Sequence, residues 1–362
     1  MRVLHLVMAL EVGGLERVVL DLIEGSKGRG VESFLGCVAG RGEWFESANV
    51  AGVWDGDMER RGWVRMVWSL MRFLRRERID VVHTHNPRPH LFGVIAALMA
   101  GVPVLHTKHG RNYPDNPRRV WLNRQLSRAS RRIVAVSDDV RNVAVDVERV
   151  PERKMLVVRN GIGARALIGK EESRKLCGLP RDAYIVGSVG RISVEKNYQL
   201  LVRAFAGWAE KCAADDAKLL LVGEGPDRGN VQMMAKEMGI ADSVVMPGMQ
   251  SDVQPWLESM DVFSLSSLSE GTSITLLEAC AVGLPAVVTD VGGNGEVVCD
   301  GESGKVVPSK DEEKLVEALE VMGAHQRRRQ EMGKRGRERV RTRYSLEKMV
   351  AEYCRLYGEI AG

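Results

Sequence analysis

The residues best suited to chemistry fall in two short stretches in the second half of the chain. Gly190-Arg191-Ile192-Ser193-Val194-Glu195-Lys196-Asn197 carries two cations, Arg191 and Lys196, on a loop leading into a helical pattern. Such a pair can clamp phosphate oxygens and neutralise charge that builds on a departing diphosphate, although solvated loop cations look the same. The stretch Ser266 to Glu278 opens a short helix with small residues, which leave first-turn amides uncovered as an anion site. Within it Glu270 could accept hydrogens from sugar hydroxyls, and Glu278 could bind a ribose. A second reading stays open for Glu278, because Thr275 and Glu278 have the spacing of a helix-start capping box, which would tie that carboxylate to its own backbone.

The first half offers weaker signals. Gly13-Gly14 follows an apolar run and precedes a helical pattern near Leu15, where bare backbone could approach a diphosphate, but the three-glycine dinucleotide fingerprint is absent. His83 and His85 alternate onto one side of a strand and could ligate zinc; without a third ligand nearby they read as ordinary cleft residues. Asp55-Gly56-Asp57 resembles a metal-holding acidic pair but lies in a turn, and no metal is expected. From Arg60 to Arg78, arginines alternate with Trp63, Val67, Leu70, Met71 and Leu74, a basic amphipathic helix that either packs on a sheet or lies on an anionic membrane surface.

The elements that must position these residues follow from periodicity. Short β-rich apolar runs alternate with helical segments, the signature of βαβ units and parallel sheets. In the first half strands are expected at 3–7, 31–38, 53–54, 80–84, 102–107, 133–136 and 154–158, and in the second at 184–189, 218–222, 243–246, 261–265, 286–289 and 305–307. With 362 residues the chain suits two α/β lobes, both doubly wound, with a linker between Asn160 and Pro180. Beyond Leu315 the pattern is helical and charged; its basic run reads as a solvated helix face, so no nucleic acid is expected as a partner. The charge is uneven: residues 1–170 hold 28 Lys and Arg against 18 Asp and Glu, so the first lobe is basic and the remainder acidic. The six scattered cysteines suit a reducing compartment. The N-terminus lacks the pattern of a signal peptide, and the longest apolar run, Leu91 to Leu105, is broken by Gly101 and Pro103. A cytoplasmic location, peripheral on the inner membrane, is therefore the expectation.

Over nearly its whole length the sequence resembles the retaining glycosyltransferases of family 4. The resemblance rests on Gly13-Gly14-Leu15-Glu16, Asp80-Val81-Val82-His83-Thr84-His85, Lys108-His109-Gly110, Ala135-Val136-Ser137 and Arg159-Asn160-Gly161-Ile162 in the first half. In the second it rests on Gly190-Arg191 with Glu195-Lys196-Asn197, Gly223-Glu224-Gly225-Pro226, Glu270-Gly271 with Glu278, and Val291-Gly292-Gly293-Asn294. It implies the GT-B fold, two Rossmann-like doubly wound parallel-sheet domains facing across a cleft. Residues 1–165 would form the acceptor-side domain, 166–344 the nucleotide-sugar domain, and a helix over 345–362 would pack back on the first. It also implies that Arg191 and Lys196 bind the donor diphosphate, Glu278 the ribose and Glu270 the sugar hydroxyls. Gly14, Gly271 and the amides of Ser273, Thr275 and Leu276 would complete the phosphate cradle, with His109 the catalytic side chain beside the sugar. Gly163 and Gly295 depart from the family pattern. The expected activity is transfer of a sugar, with retention and without metal or cofactor, from a UDP- or GDP-sugar to a glycan or lipid-linked acceptor of surface or exopolysaccharide assembly. Alternatives are a nucleotide-sugar epimerase or phosphorylase, or a noncatalytic sugar-nucleotide binder.

Overall fold

The computed structural model describes residues 1–111 and 116–362. Each apolar run read as a strand is one, and the strands assemble into two separate parallel sheets. The chain divides into unit 1, Met1–Gly161 with Leu346–Gly362, and unit 2, Ile162–Ser345.

Unit 1 holds β1 (Arg2–Val7), β2 (Glu32–Cys37), β3 (Gly52–Asp55), β4 (Val81–Thr84), β5 (Val104–Lys108), β6 (Arg132–Ala135) and β7 (Met155–Val157). They lie in the order β3-β2-β1-β4-β5-β6-β7, all parallel. Both faces of such a sheet are covered, so its strands are apolar-rich without strict alternation; β4 and β5 are buried throughout, with His83, Thr84, His106, Thr107 and Lys108 included. The helices are α1 (Gly14–Ser26), α2 (Met58–Arg61), α3 (Trp63–Arg76), α4 (Pro87–Ala100), α5 (Pro117–Ala129) and α6 (Asp138–Asp146). In α1, Val18, Val19, Leu22 and Ile23 form the buried stripe. The segment 60–78 is not one helix: Gly62, at φ 68°, breaks it between α2 and α3, a conformation that costs glycine nothing. Met66, Val67, Leu70 and Leu74 of α3 are buried, while Trp63, Val64 and Trp68 are 60%, 59% and 52% exposed.

Unit 2 begins at Ile162, inside the interval from Asn160 to Pro180. Helix α7 (Lys170–Leu176) lies inside that interval and is tied down: Glu258 accepts the Ile168 and Gly169 N–H groups at 2.9 and 2.7 Å, and Arg174 pairs with Asp261 at 3.0 Å. The segment has no apolar stripe to betray it, being held by buried polar contacts. Strands β8 (Ile185–Val189), β9 (Lys218–Val222), β10 (Val244–Gly248), β11 (Val262–Leu265), β12 (Ala286–Thr289) and β13 (Gly304–Val307) take the order β10-β9-β8-β11-β12-β13. The remaining helices are α8 (Tyr198–Cys212), α9 (Arg228–Glu237), α10 (Gln254–Ser259), α11 (Ile274–Ala281), α12 (Asn294–Val297), α13 (Glu312–Ala324) and α14 (Gln326–Arg343). Leu201, Phe205 and Trp208 of α8 share a core with Leu315, Leu319 and Met322 of α13.

The chain then returns to unit 1 as α15 (Leu346–Ala361), which packs on α1 and β4. Gly25 of α1 makes this approach possible, because a Cβ there would lie 2.6 Å from Val350. Tyr353 and Tyr357 of α15 are buried and hydrogen-bond Thr107 at 3.0 Å and His83 at 2.7 Å. Each sheet thus reverses its strand order once, between β1 and β4 and between β8 and β11, the points where open parallel sheets bind ligands beyond the carboxyl ends of their strands.

Candidate active site

In unit 2 the switch point brings together the loop after β8 (190–197) and the loop after β11 (266–273). They are stitched by hydrogen bonds: the Leu268 N–H donates to the Glu195 carbonyl at 2.7 Å, and the Ser266 hydroxyl donates to the Lys196 and Asn197 carbonyls at 3.1 and 2.9 Å. Across this join Lys196 Nζ lies 2.6 Å from Glu270 Oε1, which also accepts the Ser267 hydroxyl at 2.7 Å. Lys196 and Glu270 side chains are 21% and 9% exposed, so the pair is partly withdrawn from water and still reachable. Arg191 is exposed on the same loop and helps hold the Glu195 carboxyl below its usual range, behind the larger effect of the Ser193 hydroxyl.

Glycines allow the loops to meet. A Cβ at Gly223 would lie 2.0 Å from the Gly190 carbonyl oxygen, and one at Gly292, where φ is 58°, would lie 2.2 Å from that of Glu270. The Gly293 N–H donates to Gly271 at 2.5 Å, fixing the loop that carries Glu270.

Helix α11 starts differently from the capping-box reading. Ser273, not Thr275, is the N-cap, and its hydroxyl accepts the Leu276 N–H at 3.4 Å. Glu278 is therefore past the first turn and cannot reach back to cap it. Of the expected cradle, Gly271 and Ser273 are buried, Thr275 is half-buried with its hydroxyl 3.2 Å from that of Ser273, and the Leu276 amide is held by a long bond to the cap. Glu278 is half-buried. A cavity of about 260 Å³ lined by Lys170, Glu258, Asp261 and Arg329 lies instead at the opposite edge, where β11 begins, and joins none of these residues.

Unit 1 gathers histidines at its own switch point. His5 on β1 is the register partner of His83 on β4, and His85 follows that strand. His85 stands 3.3 Å from His5 through Nε2 and 3.3 Å from His109 through Nδ1. His83 spends both ring nitrogens, on Tyr357 at 2.7 Å and Thr107 at 2.8 Å. Burial holds His5 down at about 3 and pushes His83, His85 and His109 below their usual 6.5. His109 is half-buried just past β5, and Gly14 is exposed at the start of α1, after Gly13 as N-cap. Sequence reasoning missed His5 as the third member of the cluster; its signal was position, since an apolar first strand carried one histidine facing the same switch point. Asp55 is paired with Arg41 at 3.0 Å, and the acidic Asp55/Asp57 pair forms no metal-competent group among the described residues.

Two doubly wound parallel-sheet domains with these loops at their switch points are the architecture of the GT-B glycosyltransferases. Residues 12–164 match the family described as Glycosyltransferase Family 4 and residues 169–339 the one described as Glycosyl transferases group 1, and the chain belongs to this family of sugar transferases. It is 28% identical over 263 residues, 69% of this chain and 68% of the relative, to the UDP-Gal:alpha-D-GlcNAc-diphosphoundecaprenol alpha-1,3-galactosyltransferase of Escherichia coli. To the lipopolysaccharide core biosynthesis glycosyltransferase LpsE of Rhizobium meliloti it is 26% identical over 95% of both chains. The fold is shared with Anabaena Alr3699/HepE, solved in complex with UDP and glucose, at a TM-score of 0.89 and 16% identity over 99% of this chain and 100% of that one. No described helix is long and apolar enough to cross a membrane.

Proposed function

We propose that this glycosyltransferase moves a sugar, with retention of anomeric configuration and without a metal, from a UDP- or GDP-sugar to a glycan or lipid-linked acceptor of cell-surface or exopolysaccharide assembly. The observation that carries the reading is the Lys196–Glu270 pair at the switch point of unit 2, 2.6 Å across the join of two loops. A diphosphate arriving there competes with Glu270 for Lys196. The freed carboxylate turns to the hydroxyls of the sugar, while Lys196, Arg191 and the first-turn amides of α11 take the charge that gathers on the leaving phosphate. Glu278 holds the ribose, and His109 contacts the transferred sugar.

Glycosyl transfer makes the anomeric carbon cation-like, so stabilising the leaving diphosphate lowers the barrier most. Glu270 Oε1 keeps the Ser267 hydroxyl once Lys196 turns to the diphosphate, and a carboxylate so held suits hydroxyl binding better than nucleophilic attack, favouring acceptor entry on the face the phosphate leaves. Calorimetric titration with UDP- and GDP-sugars, followed by assignment of the product anomer by NMR, tests this. Inversion, or no affinity for any such nucleotide, overturns it.

A lipid-linked acceptor would require contact with a membrane surface, and α3 has the chemistry for one. Trp63, Val64 and Trp68 are exposed beside Arg65 and Arg72, the latter guanidinium 4.8 Å over the Trp68 ring. Exposed Trp beside Arg suits an anionic interface. Co-sedimentation with anionic vesicles that vanishes in Trp63→Ala/Trp68→Ala supports this contact, and equal sedimentation of both proteins removes it.

A further inference from the structure

Six of the seven histidines lie in unit 1, and the row from His5 through His85 to His109 has an order that can be worked out. A contact between two neutral imidazoles requires one N–H and one lone pair, and each neutral ring has one of each. With His5 Nδ1 facing His85 Nε2 and His85 Nδ1 facing His109 Nε2, only two arrangements are self-consistent. In the inward one His109 donates from Nε2, His85 donates from its own Nε2, and His5 must carry its proton on Nε2. That atom is buried without a hydrogen-bond partner among the described residues. In the outward one His5 and His85 each donate from Nδ1, His109 Nε2 accepts, and the partnerless atom of His5 is a bare lone pair. Orphaned buried N–H groups are the rarer and costlier fault. The outward order wins.

We infer that His85, set in turn by His5, places the proton of His109 on Nδ1, so that His109 meets the donor sugar as a hydrogen-bond donor and not as a base. This rests on the reading above that His109 contacts the sugar. Nε2, the only lone pair of the neutral ring, is already occupied by His85, and Nδ1 has no partner among the described residues. His109 offers a fixed N–H to a sugar oxygen, while His5 and His85 are positioning residues that never touch substrate.

A metal is the competing use of the same group, since nitrogens of His5, His83 and His85 all lie within 4.8 Å of one another. It fits poorly. Both nitrogens of His83 are spent on Tyr357 and Thr107, which leaves His5 and His85 as two ligands where a zinc site needs three or four.

The test is the tautomer itself. Nitrogen–proton correlation spectra of the full-length, donor-free protein labelled at histidine, assigned with His109→Gln, should show His109 protonated at Nδ1; protonation at Nε2 overturns the inference. In His85→Leu the His109 proton should move to Nε2, the form favoured by a free imidazole. In His85→Gln, whose amide can donate to Nε2, it should stay on Nδ1. Transfer should follow the tautomer, with kcat down roughly tenfold in His85→Leu, partial recovery in His85→Gln and little change in donor KM. An unchanged His109 tautomer in His85→Leu reduces His85 to a packing residue, and should that variant not fold, the wild-type spectrum alone decides. One equivalent of zinc that shifts the His5, His83 and His85 signals reversibly with chelator also overturns it. Full transfer by His109→Ala would instead refute the sugar-side role and leave the proton order standing.

Discussion

Glu270 and Lys196, 74 residues apart in the chain, share a contact of 2.6 Å at the centre of the candidate donor site. The pair keeps Lys196 neutralised until another anion competes for it, so the two residues should respond oppositely to substitution. Lys196→Ala should weaken binding of UDP or GDP by roughly 10- to 100-fold, the range for a charge-assisted bond. Glu270→Gln should bind the bare nucleotide as tightly or a few-fold more tightly, yet lose transfer by about 100-fold or more. Calorimetry beside steady-state rates checks both, and an equal loss of nucleotide affinity in the two variants rules out the competition.

Acid should unfold unit 1 first. Burial holds His5, His90 and His109 at about 3 and His83, His85 and His106 well below 6.5. Once pH falls under about 6.5 the unfolded chain therefore takes up protons that the folded chain refuses, and stability drops with falling pH. Each histidine contributes up to about 1.4 kcal/mol per pH unit, so the six together give a slope approaching ~8 kcal/mol per pH unit. Unit 2 holds only the exposed His325. Urea unfolding at pH 7.5, 6.5 and 5.5 should show one transition moving steeply and another nearly still; uptake of one proton or fewer would mean these rings are charged or wet in the folded protein.

Glycine substitutions should separate close approach from mere chain freedom. Gly223→Ala puts a methyl 2.0 Å from the Gly190 carbonyl oxygen at φ 140°, and should cost unit 2 more than ~2 kcal/mol together with much of its nucleotide affinity. Gly229→Ala, on α9 with nothing within 4 Å, should raise stability by about 0.5 to 1 kcal/mol and leave binding alone. Thermal unfolding with and without UDP discriminates the two.

Beside His109 the buried pair Lys108–Glu148, 2.7 Å apart with side chains 3% and 0% exposed, gives a fourth test. Glu148→Gln strands a buried ammonium and should cost about 3 to 5 kcal/mol, whereas Lys108→Met with Glu148→Leu should recover most of that loss. Denaturant midpoints of the three proteins measure it, and a milder single variant than double variant contradicts it.

What was legible in the sequence was whatever depends on runs and periods. Parallel strands covered on both faces are short, apolar-rich runs between helical segments, so 81–84 and 262–265 announce themselves even with His83, Thr84 and Ser264 inside them. Helix α7 did not, because Glu258 and Asp261, more than eighty residues away, hold it. The start of α11 was left open because Ser273 and Thr275 are equally good caps locally, and only the fold selects Ser273. Arg191, Lys196, Glu270 and Glu278 could be named from loops that follow strands, but their pairing could not: which cation meets which carboxylate is decided by the strand order β8-β11, a fact of topology and not of spacing. Of the histidine row His85 and His109 were visible in the sequence, and His5 joined it only when β1 and β4 became neighbours.

Because α15 supplies Tyr353 and Tyr357 to the interior of unit 1, that unit is built from two stretches of chain separated in sequence by the whole of unit 2. During synthesis residues 1–161 must wait, with β4 and β5 lacking their final cover, while all of 162–345 emerges and can finish folding on its own. Birth order and folding order are thus reversed relative to the usual N-terminal-first rule. A ribosome stalled before residue 346 would present a finished second unit joined to an unfinished first one, an intermediate that holdase chaperones are suited to guard.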